Sequence, residues 1–218
     1  MLKKNTYLIV FTFIIFLFAC EKNKNVSEKN DKQQSTEKTK FADKKIDSCK
    51  QFLRDGCIVL RKGNDIISEM FSMLNKTDKR FSHCGIAFFE NNTWMVYHSI
   101  GGEDNPNEKL RKDTYETFVR SSHNDGFGIC TIDFNQTQKI KLHDIVDSLY
   151  KIEVPFDMKF DLESNDRLYC AEMVYKAINK TLETDTLFSI TNHQGFQYVS
   201  TDNIFKSKEV HLLCSVKY

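Results

Sequence analysis

The sequence predicts an α+β fold, in which helices pack on an antiparallel sheet within one domain. Helical and strand patterns follow one another without the regular strand-helix-strand order of a parallel sheet. Two short aromatic and β-branched runs, 81–89 and 94–100, flank turn-forming asparagines and predict a hairpin. Helically spaced apolar residues after residue 170 predict an amphipathic helix. Roughly 175 residues beyond the N-terminal stretch suit one domain with a sizeable core.

The remaining elements are predicted in chain order around these two features. Helices are expected near 46–53, 66–74, 114–121 and 138–150, and strands near 57–61, 127–134 and 210–216. Residues 101–107 form an acidic, glycine-containing loop. No internal repeat interrupts this order, so the elements belong to one domain.

The N-terminal forty residues differ from the rest. Lys3 and Lys4 precede an apolar run that ends at Ala19, too short to span a bilayer but suited to the core of a signal peptide, predicted over 1–19. The residues ending at Cys20, Leu-Phe-Ala-Cys, resemble a bacterial lipobox, which implies a lipid on Cys20. An uncleaved hydrophobic anchor is the alternative.

The stretch after Cys20 contains too few apolar residues to form a core. Between 21 and 40 only Val26 is apolar, so 20–40 is predicted to be a flexible tether and 41–218 the folded domain. The protein is therefore expected in the bacterial cell envelope, attached to a membrane through Cys20. Whether this is the inner or the outer membrane stays open.

A cysteine is predicted in the first turn of the C-terminal helix. Residues 170, 173, 174, 177 and 178 share one apolar face, and Asn165 or Asp166 is the expected N-cap. The positive end of a helix dipole stabilises a thiolate, which would make Cys170 nucleophilic near neutral pH. The alternative is a buried cysteine that acts as a small apolar residue.

Two histidines are predicted to lie on one face of the hairpin. A loop of two residues, or of four about the same centre, places His98 opposite Gly85 and His83 diagonally beside it, near enough for the two imidazoles to hydrogen-bond. A three-residue loop would move His98 to the other face. Two structural histidines are the alternative to a catalytic pair.

Three segments then resemble a known family. Asp55–Arg61, Phe81–Ile86 and Leu168–Val174 are similar, in this order, to signature segments of the YiiX-like group of circularly permuted NlpC-type cysteine peptidases. These are papain-like hydrolases in which the histidine precedes the cysteine. The resemblance extends over roughly 50–218, and includes 155–160 and 200–205.

The resemblance implies a circularly permuted papain-like fold, with an antiparallel sheet or partial barrel packed on the cysteine helix. It makes Cys170 the nucleophile, His83 the general base and His98 the third polar residue. The backbone N-H of Cys170 and the hydroxyl of Tyr169 would stabilise the oxyanion, although aromatic packing under the helix is the alternative for Tyr169. Relatives have aspartate where this chain has Cys57.

The implied activity is hydrolysis of an amide bond, of the cell-wall peptide type, through an acyl-enzyme on Cys170. A lipid-directed acyltransferase or thioesterase of the same fold is an alternative, since the acceptor is not encoded in these motifs. His83, His98 and Cys170 could instead bind zinc. A non-catalytic binding lipoprotein is the last alternative.

Composition limits the partners. The net charge is +1 with acidic and basic residues interspersed, which argues against nucleic-acid binding. The reaction needs no cofactor and no metal, and a monomer is expected. Besides Cys20 there are six cysteines, which permit disulfides in an exported protein, but mostly buried thiols are expected.

Overall fold

The computed structural model describes residues 36–101 and 105–218. Residues 42–218 form one compact unit. The predicted signal peptide, Cys20 and most of the tether lie outside the described residues. Within the described part of the chain, no helix is long and apolar enough to cross a membrane.

Helices and strands are interspersed along the chain without regular alternation. Helix α1 covers 36–49 and continues into a 3-10 turn at Lys50–Phe52. The other helices are α2 (Ile66–Met73), α3 (Tyr115–Val119), α4 (Gln136–Lys151), α5 (Cys170–Leu182) and α6 (Thr201–Phe205). The strands are β1 (Cys57–Gly63), β2 (His83–Glu90), β3 (Thr93–His98), β4 (Arg111–Thr114), β5 (Asn124–Thr131), β6 (Thr191–His193), β7 (Phe196–Tyr198) and β8 (His211–Lys217).

Six strands form one antiparallel sheet in the order β4-β3-β2-β1-β5-β8. The sheet is open, with β4 and β8 at its edges, so the antiparallel-sheet form of the prediction is confirmed rather than the barrel form. Strands β6 and β7 pair separately as a small hairpin. Strand β2 lies inside the large sheet, between β1 and β3, which fixes the direction of its side chains.

Apolar side chains cover both faces of the sheet. In β1, Ile58 and Leu60 join the core formed by α4 and α5, whereas Val59 joins the core formed by α1 and α3. The predicted apolar face of α5 is buried against the sheet, from Cys170 to Ile178. The cysteine helix is thereby fixed against the strand that contains His83.

The β2-β3 turn has a two-residue loop, one of the two lengths that give the predicted register. Ile86 pairs with Tyr97, and Asn91 and Asn92 adopt φ values of 48° and 63°. These left-handed conformations are typical of a type I′ hairpin turn, which asparagine tolerates well. A Cβ at Gly85 would lie 2.6 Å from the Tyr97 carbonyl oxygen and 2.9 Å from the Cβ of His98. Glycine is required there by this close approach.

The N-cap predicted for the cysteine helix is wrong. Helix α5 begins at Cys170 with Tyr169 as N-cap, and the N-H of Tyr169 donates to the Glu172 carboxylate at 3.1 Å. The N-H of Leu168 is bonded to the Pro155 carbonyl, which holds the preceding chain outside the helix. Asn165 and Asp166, which precede Cys170 by five and four residues, therefore cannot cap this helix.

Other differences lie in polar segments. Residues 111–114 form edge strand β4, where the sequence predicts only a helix near 114–121, because an all-polar edge strand lacks an apolar alternation. Strands β6 and β7 and helix α6 are short and were not predicted. Residues 36–40, assigned to the tether, extend α1, since a helix can continue past its buried residues into solvent.

One disulfide connects the ends of the compact unit. Cys49, at the end of α1, is bonded to Cys214 in β8. The other described cysteines are free and buried: Cys57, Cys84, Cys130 and Cys170. The expectation of mostly buried thiols is met by these four, while the disulfide itself was not assigned from the sequence.

We expect the Cys49→Ser/Cys214→Ser variant to lose about 2 to 5 kcal/mol of unfolding free energy, because the bond closes a long loop and restricts the unfolded chain. Urea titration followed by fluorescence measures the loss. Reductant should destabilise the wild-type domain by a similar amount and leave the double variant unchanged. An equal response of both proteins would show that the bond does not stabilise the fold.

Candidate active site

Cys170 and His83 line the same cleft. Its volume is about 370 Å³, and Arg61, Arg111 and Phe156 lie in its wall with them. Cys170 is the first residue of α5 and His83 the first residue of β2, so each projects from the end of a rigid element. The Ser99 hydroxyl donates to the Leu168 carbonyl at 2.5 Å, which ties the chain after β3 to the start of the cysteine helix.

A chain of hydrogen bonds runs from His83 into the sheet. His83 Nε2 lies 2.9 Å from His98 Nδ1, as the hairpin register predicts. His98 Nε2 lies 3.0 Å from Asp113 Oδ2 on the neighbouring strand β4. His98 is almost fully buried, and Asp113 is partly exposed. Asp113 is thus the third member of this hydrogen-bonded chain, and the sequence did not reveal it.

This chain determines where the imidazole protons are. An ionised carboxylate only accepts hydrogen bonds, so His98 Nε2 must donate to Asp113. In a neutral ring His98 Nδ1 is then an acceptor, and His83 Nε2 donates to it. Nδ1 of His83 is left with a free lone pair. His83 is therefore held in the tautomer that can accept a proton.

Both histidines are kept neutral by their surroundings. Burial, followed by the positive charge of Arg61, lowers the pKa of His83 well below its ordinary value. Burial also lowers the pKa of His98 to about 4, although the bond to Asp113 opposes this shift. Phe118 packs against both rings, with centroids 5.5 Å and 4.9 Å away. The base is thus uncharged at neutral pH.

The pKa of the Cys170 thiol is lowered. The largest cause is a hydrogen bond from the Cys84 thiol, followed by burial, which acts in the opposite direction. The backbone N-H groups of Cys84 and Ala171 and the charge of Arg61 lower it further. Burial raises the pKa of Cys84, which therefore stays a protonated donor. Cys170 is the described free cysteine whose thiolate is favoured.

The side chains of Cys170 and His83 are not hydrogen-bonded to each other in the free cleft of the described structure. Among the described residues, no hydrogen bond joins Cys170 Sγ to His83. Catalytic pairs often tighten only when substrate binds, so separation in a free cleft is compatible with catalysis. The N-H of Cys170 belongs to the first turn of α5, where N-H groups have no intrahelical partner.

The contacts of Tyr169 resemble those expected if its ring packs under the helix. Its hydroxyl accepts a hydrogen bond from the N-H of Val199 at 2.8 Å, and its ring lies 4.9 Å from that of Phe160. Its role at an oxyanion stays a prediction. These contacts also fix the residue that immediately precedes the nucleophile.

The three residues considered as alternative zinc ligands are not all available to a metal. His98 uses one ring nitrogen for His83 and the other for Asp113, so it has none left for a metal. No group of three or more histidine, cysteine, aspartate or glutamate side chains suited to a metal occurs in 36–101 and 105–218. In this arrangement the residues form a hydrogen-bonded chain and do not fit a zinc shell.

An apolar groove adjoins the cleft. It has a volume of about 300 Å³ and shares Ile67, Phe71 and Gly101 with the cleft wall. Met70 and Phe196, about half exposed, also line it. Exposed apolar surface of this extent often marks a binding site.

Sequence reasoning missed three contributors to the site. Asp113 lies in a polar edge strand without a recognisable pattern. Arg61 closes a segment that the family resemblance includes, but nothing in its spacing indicates a position beside Cys170. Cys84 follows His83, and strand alternation turns it toward the opposite face, where α5 brings Cys170 against it. The pairing of β4 with β3 and of β1 with β2, together with the packing of α5 on β2, brings these groups together.

Comparison with known proteins is informative once this geometry is known. Residues 52–212 match the model of a family described as permuted papain-like amidase enzymes, YaeF/YiiX, C92 family. Among curated proteins the search finds no match. The structure resembles the crystal structure of the metalloprotein yiiX from Escherichia coli O157:H7, with a TM-score of 0.62 and 16% sequence identity.

That alignment covers 76% of this chain and 98% of the yiiX chain. At this identity the likeness shows the fold, and it confirms the circularly permuted papain-like architecture. The match to the family model spans most of the compact unit, including β1, the histidine hairpin and the cysteine helix. The chain therefore belongs to the YaeF/YiiX family of permuted papain-like amidases.

Proposed function

We propose that this protein is a cell-envelope cysteine hydrolase that cleaves a peptide amide bond, of the cell-wall type, through an acyl-enzyme on Cys170. The observation that supports it best is the shared cleft of Cys170 and His83. In that cleft the pKa of the thiol is lowered, and the imidazole is neutral with Nδ1 free. Membership of a papain-like amidase family supports the same class of reaction.

The reaction then follows from these groups. His83 Nδ1 takes the Cys170 proton, and the sulfur attacks the amide carbonyl carbon to form a tetrahedral intermediate. His83 returns the proton to the amide nitrogen, the C-N bond breaks, and the amine leaves. His83 then deprotonates a water molecule, which attacks the thioester carbonyl. The C-S bond breaks, the carboxylic acid leaves, and His83 returns the proton to the Cys170 sulfur.

The surroundings stabilise the charges that develop. The oxyanion lies at the start of α5, where the N-H of Cys170 donates to it, a contact worth about 3 to 4 kcal/mol in such enzymes. As His83 becomes positive, His98 accepts its Nε2 proton in a hydrogen bond, and Asp113 compensates the charge through His98. His98 and Asp113 position His83 without touching the substrate.

One observation favours a second candidate, a lipid-directed acyltransferase or thioesterase. The apolar groove beside the cleft is lined by exposed Met70 and Ile67, which are suited to an acyl chain. In that reaction the acyl group would enter from the groove, and the same Cys170 thioester would form. An amide of fixed headgroup and increasing acyl length distinguishes the two, since only the second candidate favours long chains.

The envelope location is supported by two observations. The lipobox-like residues at Cys20 end an apolar run preceded by lysines. The Cys49–Cys214 disulfide belongs to a class of bond that persists mainly in exported proteins. We propose that the mature protein is attached to a membrane by a lipid on Cys20.

If Cys170 is the nucleophile, iodoacetamide at about pH 7 should label it before Cys57, Cys84 or Cys130. Burial raises the pKa of Cys57 and Cys130 as well as that of Cys84. Peptide mapping by mass spectrometry gives the order. His83→Ala should slow the labelling, and Cys170→Ala should abolish hydrolysis of an amide panel while the melting temperature changes little.

The matched control is Cys130→Ala, which removes another buried thiol and should leave the Cys170 labelling rate unchanged. An unreactive Cys170 in the folded protein would contradict the proposal and favour a non-catalytic binding lipoprotein.

The buried histidines predict a loss of stability in mild acid. Unfolded histidine binds a proton below about pH 6.5, but folded His98 stays neutral until about pH 4. The unfolded state therefore binds more protons in this window, and unfolding free energy falls as the pH decreases through it, by about 3 kcal/mol for His98.

Urea unfolding at several pH values measures this slope. His98→Gln should flatten it, whereas His211→Gln, an exposed change in β8, serves as the matched control for histidine number. A slope that is identical in all three proteins would mean that the buried pair does not titrate as described.

Cys20→Ala should leave the protein without lipid, since the thioether requires that sulfur. Detergent phase partitioning should then shift from the detergent to the aqueous phase. Cys57→Ala is the control and should partition like the wild type. Unchanged partitioning of Cys20→Ala would exclude the lipobox and leave the uncleaved anchor as the explanation.

A further inference from the structure

Arg61 has an unusual position for a charged residue. It lies in the central strand β1 and lines the cleft with Cys170 and His83. Its guanidinium is stacked over Phe118 at 4.9 Å, the ring that also packs against both histidines. Within 36–101 and 105–218, Nε of Arg61 is buried without a hydrogen-bond partner.

The charge of Arg61 is poorly compensated by the protein. Its one described side-chain hydrogen bond, at 3.4 Å, is to the neutral amide oxygen of Asn124. No carboxylate in the described part of the chain lies within ion-pair distance of it. A desolvated cation without an anionic partner costs free energy. An unpaired arginine at this position therefore indicates a partner that arrives from outside the protein.

The neighbouring charges of the cleft are already engaged. Arg111 lies 3.5 Å from Asp113, and Asp65 accepts hydrogen bonds from Ser68 at the start of α2. Burial lowers the pKa of Arg61, and the strongest opposing charge is the Cys170 thiolate. When Cys170 becomes acylated, that negative charge disappears. The same charge is absent while Cys170 is still a thiol, so Arg61 can bind an anion of the substrate both when the substrate arrives and after acylation.

We propose that Arg61 is an anion-recognition residue, which selects substrates that carry a carboxylate next to the scissile amide. This inference rests on the proposed function of Cys170 as nucleophile. The planar guanidinium fork matches the two oxygens of a carboxylate, and the free Nε supplies one of its donors. The substrate class is accordingly an acidic peptide, cleaved beside an aspartate, a glutamate or a terminal carboxylate.

Two alkylating reagents test this without knowledge of the natural substrate. Iodoacetate carries a carboxylate next to its reactive carbon, whereas iodoacetamide is neutral and nearly the same size. Both react with the same thiolate, so the ratio of their rates at Cys170 does not depend on how much thiolate is present. The ratio reports the local preference for an anion.

We expect Arg61→Gln in the full-length protein to lower the iodoacetate to iodoacetamide ratio about five- to tenfold, from the loss of one nearby charge. Arg61→Lys should give an intermediate ratio, because it keeps the charge but lacks the fork. Added salt should lower the wild-type ratio and leave that of Arg61→Gln nearly unchanged. Arg120→Gln removes an exposed arginine outside the cleft and should match the wild type.

The outcomes separate the two proposals. In one outcome, iodoacetamide labels Cys170, but the iodoacetate to iodoacetamide ratio is the same in wild type and Arg61→Gln and does not change with salt. This result overturns the anion-recognition role alone. Absence of labelling by either reagent overturns this role together with the proposed function. If Arg61→Gln does not fold, the Arg61→Lys ratio and the salt dependence of the wild type decide the question.

Discussion

The register between β2 and β3 is the constraint on which the site depends. Pairing through a two-residue turn puts His83 and His98 on one face, and Gly85 removes the side chain that would separate them. A shift by one residue would turn His98 into the opposite core. Strand β2 also pairs with β1, which puts Arg61 opposite His83, and packs against α5, which begins with Cys170.

The charged groups at the two ends of the site, Asp113 and Arg61, act together on the histidines. Asp113 at the sheet edge directs the Nε2 protons of both imidazoles toward that edge, and Arg61 disfavours a positive charge on either ring. The free enzyme therefore holds a neutral base beside a thiol that is easily ionised. In the proposed reaction, acylation of Cys170 removes the charge of the sulfur and leaves the Arg61 guanidinium without it, so the electrostatic preference of the cleft would change between the free enzyme and the acyl-enzyme.

Local rules were enough to predict the parts of the site that depend on short-range spacing. The helical period of 3.6 residues predicts the cysteine at a helix start. The strand period of two residues and the turn-forming asparagines predict the histidine pair. Asp113 could not be found this way, because β4 is held by its neighbour β3 and not by an apolar pattern. The N-cap of α5 was misassigned because a long-range bond from Leu168 to Pro155 holds the preceding chain outside the helix, and Glu172 of the first turn accepts from the N-H of Tyr169. The partners of Arg61 and the pairing of Cys49 with Cys214 depend on the assembled sheet.

The Cys49–Cys214 bond also makes the domain a covalent ring. Every residue assigned to the reaction, from Arg61 to Cys170, lies between the two bonded cysteines. A single peptide-bond cleavage anywhere in that interval opens the ring but releases no fragment, because the two pieces remain linked through sulfur. A domain closed in this way can thus be nicked by a protease in a surface loop and survive as a two-chain molecule that keeps both halves of its site.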